Sequence, residues 1–175
     1  MDEAIKDLEA RVSRLEDVEA VHKTWRDYIF ALDSSDWDSL RDVFTEDGAV
    51  EMVGLDDYRP GQDRTYRGRE EIVNDFYIPD IEEVANPSIG NFYTGHHGTN
   101  MEIDLAGDEA TTLAYFFEIL GNQQVLIGTY QHRMRREADR WRIAYLRIAI
   151  RYRAKIEATD FGGLSLAEIR GMASV

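Results

Sequence analysis

Residues 92–153 read FYTGHHGTNMEIDLAGDEATTLAYFFEILGNQQVLIGTYQHRMRREADRWRIAYLRIAIRYR, and this stretch decides the fold. It contains four runs rich in β-branched and aromatic residues, at 92–105, 110–120, 124–137 and 140–153. Short segments with Gly, Asn and Asp separate the runs, as in β-hairpin turns. Consecutive strands joined by such turns predict an antiparallel meander.

The chain before this stretch has helical periodicity. From Ile5 to Leu32 the apolar residues recur every three or four positions, which predicts one long amphipathic helix whose charged first turns could pair with a partner helix. Helices are also expected near 37–44 and 68–77, a short strand at 49–53, and loops at 54–66 and 78–91. Helices followed by consecutive strands predict an α+β fold, a curved antiparallel sheet wrapped as a cone around the N-terminal helices.

Length and composition fit one domain, 1–175, with an N-terminal helical extension at 1–15 and a C-terminal tail at 156–175. The 34 acidic residues exceed the 20 basic ones and give a formal charge of -14, which disfavours nucleic acid and anionic membranes as partners. The sequence contains no cysteine, which excludes disulfides and sulfur-ligated metal sites. A cytoplasmic location is expected.

Several short motifs together resemble the SnoaL-like branch of the nuclear transport factor 2-like superfamily. They are Tyr28-x4-Asp33-x3-Trp37, His96-x-Gly98-Thr99-Asn100, Gly128-x-Tyr130 and Trp141-Arg142-Ile143. The likeness covers roughly residues 15–155 and is similar to the cofactor-free lyases of this branch, namely hexachlorocyclohexane dehydrochlorinase, bile-acid dehydratase and scytalone dehydratase. It implies the cystatin-like α+β barrel and elimination chemistry without a cofactor.

The resemblance also implies which residues are catalytic. The Asp-His pair of the family matches Asp33 and His96, and the tyrosine that precedes the aspartate in the dehydratases matches Tyr28. The dehydrochlorinase has lysine at the tyrosine position, which argues against that exact activity. An arginine on the last strand serves some members, and both Arg147 and Arg151 are candidates for it.

These residue types suit a proton abstraction. Histidine titrates near neutral pH, so His96 is expected to be the base, with Asp33 holding its tautomer and Tyr28 donating a hydrogen bond or proton. Tyr28 lies about 140° around a helix from Asp33, so the helix end would have to unwind to bring them together. Without the resemblance, Asp33 reads as a turn residue, Tyr28 as a core aromatic, and His97 as the buried histidine.

The aromatic residues predict an apolar pocket and a small hydrophobic or aromatic substrate. His132 fits either the core or this pocket. The predicted substrate-binding residues are Trp25, Trp37, Phe92, Asn100, Tyr115, Phe117, Tyr130, His132, Arg147 and Arg151, with Phe30, Trp141 and Tyr145 as further aromatic candidates. No metal is expected, because the adjacent His96 and His97 would point to opposite faces of a strand.

Three functions are compatible with this pattern. The leading hypothesis is a cofactor-independent lyase that expels water, halide or an aldehyde fragment. The alternatives are an isomerase or polyketide cyclase using the same pocket, and a non-catalytic binding protein. Because residues 110–120 are apolar on both strand faces, a homo-oligomer is expected, with a trimer favoured over a dimer.

Overall fold

Helices at the start of the chain lie against a six-stranded sheet. The computed structural model describes residues 2–56, 60–61, 63–84, 95–120, 124–138 and 140–155. The elements are α1 (Asp2–Ser34), α2 (Trp37–Val43), β1 (Phe44–Val53), β2 (Arg64–Arg67), α3 (Arg69–Glu71), a π-helical turn (Ile72–Tyr77), α4 (Ile78–Val84), β3 (Gly95–Ala106), β4 (Glu109–Leu120), β5 (Gln124–Glu137) and β6 (Arg140–Lys155). The predicted tail at 156–175 lies outside the described residues.

The sheet is mixed, which corrects the expectation of a purely antiparallel one. Its strand order is β2-β1-β6-β5-β4-β3. β3 to β6 form the predicted antiparallel meander, but β1 runs parallel to β6, with Val50 opposite Leu146. A parallel pair needs a long crossover connection. The intervening helices and hairpins supply it here, and the sequence pattern of a short strand does not reveal its direction.

The first strand region also differs from the sequence analysis. β1 begins at Phe44, five residues before the strand expected at 49–53, and its register with β6 is irregular between Phe44 and Ala49. The loop expected at 54–66 contains the start of β2, which pairs antiparallel with β1, and α4 occupies the start of the loop expected at 78–91. These segments are short and polar, and tertiary pairing decides their conformation.

The core lies between the concave sheet face and the second half of α1. β4 alternates strictly between exposed and buried side chains, and its inner face carries Ala110, Thr112, Ala114, Phe116, Glu118 and Leu120. The largest fully buried side chains include Tyr28 of α1, Tyr130 of β5 and Trp141 of β6. The curved, unclosed sheet and the helices form the expected α+β cone, which is confirmed.

A β-bulge divides β3 into two parts. The alternation of inward and outward side chains is shifted by one residue between them. The register with β4 shifts between Thr99 and Glu102, and Asn100 within the shift has a positive φ of 54°. Before the bulge the inner face carries His96 and Gly98, whereas after it the inner face carries Met101, Ile103 and Leu105. The bulge therefore explains how a polar strand start and an apolar strand end point to the same interior.

Gly98 is required because Trp25 packs directly against β3. A Cβ atom on Gly98 would lie 1.9 Å from Cζ2 of Trp25. We predict that Gly98→Ala lowers the free energy of unfolding by about 1–3 kcal/mol, since the indole must move. Urea denaturation followed by fluorescence measures this change.

A double-mutant cycle identifies the indole as the cause. The penalty of Gly98→Ala should shrink in a Trp25→Leu background, where the smaller side chain leaves room for the new methyl group. Additive effects of the two substitutions would contradict this explanation.

Candidate active site

The side chains of Asp33 and His96, which are 63 residues apart in sequence, contact each other where β3 begins. Nδ1 of His96 lies 2.6 Å from Oδ1 of Asp33, and the backbone N–H of His96 donates to the same carboxylate over 3.1 Å. The carboxylate thus holds both the ring and the backbone of His96. The contact that the sequence motifs predict is present.

Asp33 sits in the last turn of α1, where a carboxylate is electrostatically unfavourable. The C-terminal end of a helix carries partial negative charge, and this turn contains no basic residue. The two N–H groups of His96 compensate for that repulsion. The side chain of Asp33 retains 28% of its exposure, while that of His96 retains 7%. Asp33 therefore lies at the rim of the site and His96 inside it.

Glu118 is the residue that the sequence analysis missed. It lies directly opposite His96 in the β3–β4 register, and its Oε1 is 3.0 Å from Nε2 of His96. Its side chain is only 10% exposed. A single acid on the otherwise uncharged inner face of β4 was the available signal, because an acidic residue is rarely buried without a partner.

His96 is therefore held between two carboxylates. Burial works against the charged ring, but Glu118 and Asp33 outweigh it and raise the pKa of His96 from 6.5 to about 10. At neutral pH the ring is an imidazolium that donates from both nitrogens. In this arrangement neither ring nitrogen is free to accept a proton, and the expected role of His96 as the base stays a prediction.

Three buried tyrosines adjoin this triad. The hydroxyl of Tyr28 lies 2.8 Å from that of Tyr77, and the rings of Tyr28 and Tyr130 contact edge to face at 6.0 Å. Burial raises the pKa of Tyr28, and the charges of Glu118 and Asp33 raise it further, while hydrogen bonds with Tyr77 and Tyr130 oppose this shift. All three phenols remain neutral at physiological pH.

Helix α1 brings Tyr28 to the interior without unwinding. The helix continues to Ser34, so Tyr28 and Asp33 project from it in different directions, as the geometry of a regular helix requires. Glu118 acts electrostatically on Tyr28, which places the two in one region. Tyr77 comes from the π-helical turn, a feature with no signature in the sequence analysis.

His132 is a second buried histidine in a different state. Its Nδ1 lies 2.7 Å from Oγ1 of Thr112, and its Nε2 has no hydrogen-bond partner among the described residues. Burial lowers the pKa of His132 to about 3, so the ring is neutral. Nε1 of Trp25 is likewise buried without a partner in the described part of the chain.

Four predicted substrate-binding residues lie on the outer face of the sheet, opposite to the face that carries the triad. Tyr115 and Phe117 alternate with the inner residues of β4 and are 53% and 39% exposed. Arg147 and Arg151 are exposed on the outer face of β6, where Arg147 pairs with Glu51 over 3.4 Å. Strand parity excludes all four from the interior of this chain.

The other predicted residues divide into three groups. Tyr130, His132 and Trp25 are buried in the interior, and Trp37 is half-buried against the core at the start of α2. Asn100 is exposed in the bulge. Phe92 lies outside the described residues. Of the further candidates, Trp141 is buried in the core, Phe30 is 66% exposed and Tyr145 hydrogen-bonds Glu51.

A surface cleft of about 370 Å³ lies away from the triad, between α1, α2 and β6. Its charges are already paired, with Lys23 bound to Asp27 and Arg140 bound to Asp42. The described residues contain no group of three or more His, Asp or Glu side chains that could hold a metal ion. Asp33, His96 and Glu118 are instead occupied with one another.

The chain belongs to the SnoaL-like domain family, whose model matches residues 13–147. No protein of curated function matches the chain in sequence. None of the described helices is long and apolar enough to cross a membrane.

Solved structures share its fold at low sequence identity. A LinA-type3 hexachlorocyclohexane dehydrochlorinase from Novosphingobium barchaimii is 18% identical with a TM-score of 0.64, and 83% of this chain aligns with 94% of that one. A candidate scytalone dehydratase from Novosphingobium aromaticivorans is 20% identical with a TM-score of 0.63, over 84% and 92% of the two chains. An NTF2-like protein with a cystatin-like fold from the latter species is 23% identical with a TM-score of 0.60, over 96% of each chain.

The charge state of His96 predicts how stability depends on pH. Because folding raises its pKa from 6.5 to about 10, its stabilising contribution is complete below pH 6.5 and is lost as pH rises to about 10. The free energy of unfolding should fall over this range by up to about 1.4 kcal/mol per pH unit. Urea denaturation at a series of pH values measures the slope.

His96→Asn should remove this slope, whereas His22→Asn on the half-buried side of α1 should keep it. An unchanged slope in His96→Asn would show that the imidazolium is not its source.

Proposed function

We propose that this protein is a cofactor-independent lyase that removes a proton from a small apolar substrate and expels a leaving group. The arrangement that supports this proposal best is the triad Asp33–His96–Glu118, in which His96 and Glu118 are buried and Glu118 acts electrostatically on neutral tyrosines. A buried carboxylate next to hydrogen-bond donors is a means of abstracting a proton and stabilising the charge that develops. The family match and the fold shared with a dehydrochlorinase are consistent with it.

Glu118 is the proposed base, in place of His96. The imidazolium of His96 has no lone pair to offer, because Asp33 and Glu118 occupy both nitrogens. The carboxylate of Glu118 has a second oxygen, which can take the substrate proton while Oε1 remains bound to Nε2. Asp33 acts through His96 and is a positioning residue.

Tyr28 is the proposed hydrogen-bond donor to the substrate. Its raised pKa keeps the phenol protonated, so it can stabilise negative charge on a carbonyl or leaving oxygen. In an elimination the electrons of the broken C–H bond form the new double bond and the leaving group departs with its own pair. A hydroxide leaving group needs a proton, which the imidazolium of His96 or the phenol of Tyr28 supplies.

The interior favours an aromatic or alicyclic substrate with few polar groups. The rings of Tyr28, Tyr130 and Phe116 are fully or almost fully buried in the interior. Trp25 and His132 add two polar atoms without protein partners among the described residues. Such a surface holds a flat apolar body by shape and orients it through a small number of hydrogen bonds.

An isomerase is the second candidate. A neutral Tyr28 that stabilises an enolate oxygen, and a Glu118 that returns its proton to a different carbon, would shift a double bond without any leaving group. Product mass separates the two reactions, since isomerisation conserves mass and elimination does not.

Location in the cytoplasm stays a prediction.

Substitution of Glu118 tests the proposed chemistry. The first probes are the substrates named for the structural relatives, hexachlorocyclohexane and scytalone, with products followed by mass spectrometry. Glu118→Gln should lower kcat by about 10²-fold or more. The exposed Glu102→Gln on the outer face of β3 is the matched control and should keep its activity.

The pH profile distinguishes Glu118 from His96 as base. With Glu118 as base, wild-type kcat should decline as pH rises toward 10, where His96 loses its proton. A kcat that instead rises toward pH 10 would make the neutral His96 the base. Binding of these apolar probes without any turnover would instead favour the non-catalytic binding protein.

We also propose that the outer sheet face joins copies of this chain in a homo-oligomer, with a trimer favoured over a dimer. The large apolar side chains exposed on it are Leu113, Tyr115, Phe117, Ile127 and Tyr152, between 39% and 54% exposed. Contiguous apolar surface of this kind marks protein interfaces.

Light scattering at micromolar concentration tests the oligomer. A mass of three times 20.2 kDa, or a whole multiple of that mass, is expected, and Tyr115→Glu should reduce it because the new charge would be buried. Thr111→Glu, on the same face of β4 and already exposed, is the control. A monomeric wild type would refute the interface.

A further inference from the structure

The first half of α1 is a helix without support from its own chain. Residues 2–16 are all exposed, and the buried residues of α1 begin at Val21. The exposed part extends for about 22 Å at 1.5 Å per residue. An isolated helix of this length is marginal in water, so its stability requires a partner. We call residues 2–16 the arm.

The arm carries one narrow apolar stripe. Ile5, Leu8, Val12 and Leu15 are 48%, 57%, 45% and 68% exposed. Their spacing of three, four and three residues is that of alternating a and d positions in a coiled-coil heptad. The stripe ends where the next a position is Glu19, which is paired with Arg26 in the same chain. The apolar stripe is therefore confined to the arm.

We propose that the arm forms a parallel two-stranded coiled coil with the arm of a second copy of this chain. Isoleucine and valine occupy the a positions and leucine the d positions, a distribution that favours two parallel strands over three or four. This partner surface is separate from the outer sheet face and from the triad, so the inference does not depend on the proposed function.

Charge selects the parallel orientation. In a parallel pair the g residue of one helix lies near the e residue of the next heptad in the other, which places Arg11 beside Glu16 of the second copy. An antiparallel pair would place e beside e and g beside g, and would bring like charges together. Among the described residues of its own chain, Arg11 makes a 4.0 Å contact with Asp7, with both side chains more than 70% exposed.

The lack of cysteine in the chain permits a direct test. In a parallel in-register pair, the two Leu8 positions face each other at a spacing compatible with a disulfide, so Leu8→Cys should cross-link in the full-length protein. Ser13→Cys, on the opposite side of the arm and also exposed, is the control. In glutathione redox buffer at low micromolar protein, Leu8→Cys should form covalent dimer about tenfold faster or more.

Charge reversal is the second part of the experiment. Arg11→Glu in the Leu8→Cys background should slow cross-linking, and adding Glu16→Arg should restore it. Equal rates for Leu8→Cys and Ser13→Cys, or slower cross-linking in both charge variants without rescue, would overturn the parallel pair. All substitutions lie on exposed positions far from the core, so loss of folding does not confuse the result.

Discussion

The site depends on a single imidazolium that is bound on both sides. His96 joins the end of α1, through Asp33, to the neighbouring strand β4, through Glu118. One ring thus links a helix terminus to two adjacent strands of the sheet. Removing His96 would leave the carboxylates of Asp33 and Glu118 without their shared cation, and for the buried Glu118 this is far more costly than losing a surface ion pair. The same contacts therefore hold the fold together and set the protonation of the site.

The two buried histidines show how surroundings decide the state of one residue type. His96 faces two carboxylates and is charged, with a pKa raised to about 10. His132 hydrogen-bonds the hydroxyl of Thr112, packs against the rings of Tyr28 and Tyr130, and is neutral, with its pKa lowered by burial to about 3. Both lie in the same interior, but His96 loses its proton only at high pH and His132 gains one only at low pH. The interior thus contains one charged imidazolium, paired with the carboxylates of Glu118 and Asp33, and one neutral imidazole.

Much of the fold was predictable from sequence because it rests on periodic signals. The limits of β5 and the helical period of α1 were recognised directly, and the motif around Asp33 and His96 identified a contact across 63 residues. The direction of β1 and the existence of β2 were missed, since short polar strands acquire their pairing from the rest of the sheet. Glu118 was missed because its importance lies in its position opposite His96, which a list of motifs does not contain.

The parallel contact of β1 with β6 also constrains how this chain can fold. β1 ends at Val53, whereas β6 begins at Arg140, so the strand that completes the middle of the sheet becomes available last. The hairpins of β3 to β6 can form locally, but β1 must close a loop of about half the chain before it pairs with β6. During synthesis on the ribosome, the β1–β2 hairpin thus keeps the second edge of β1 open until β6 emerges.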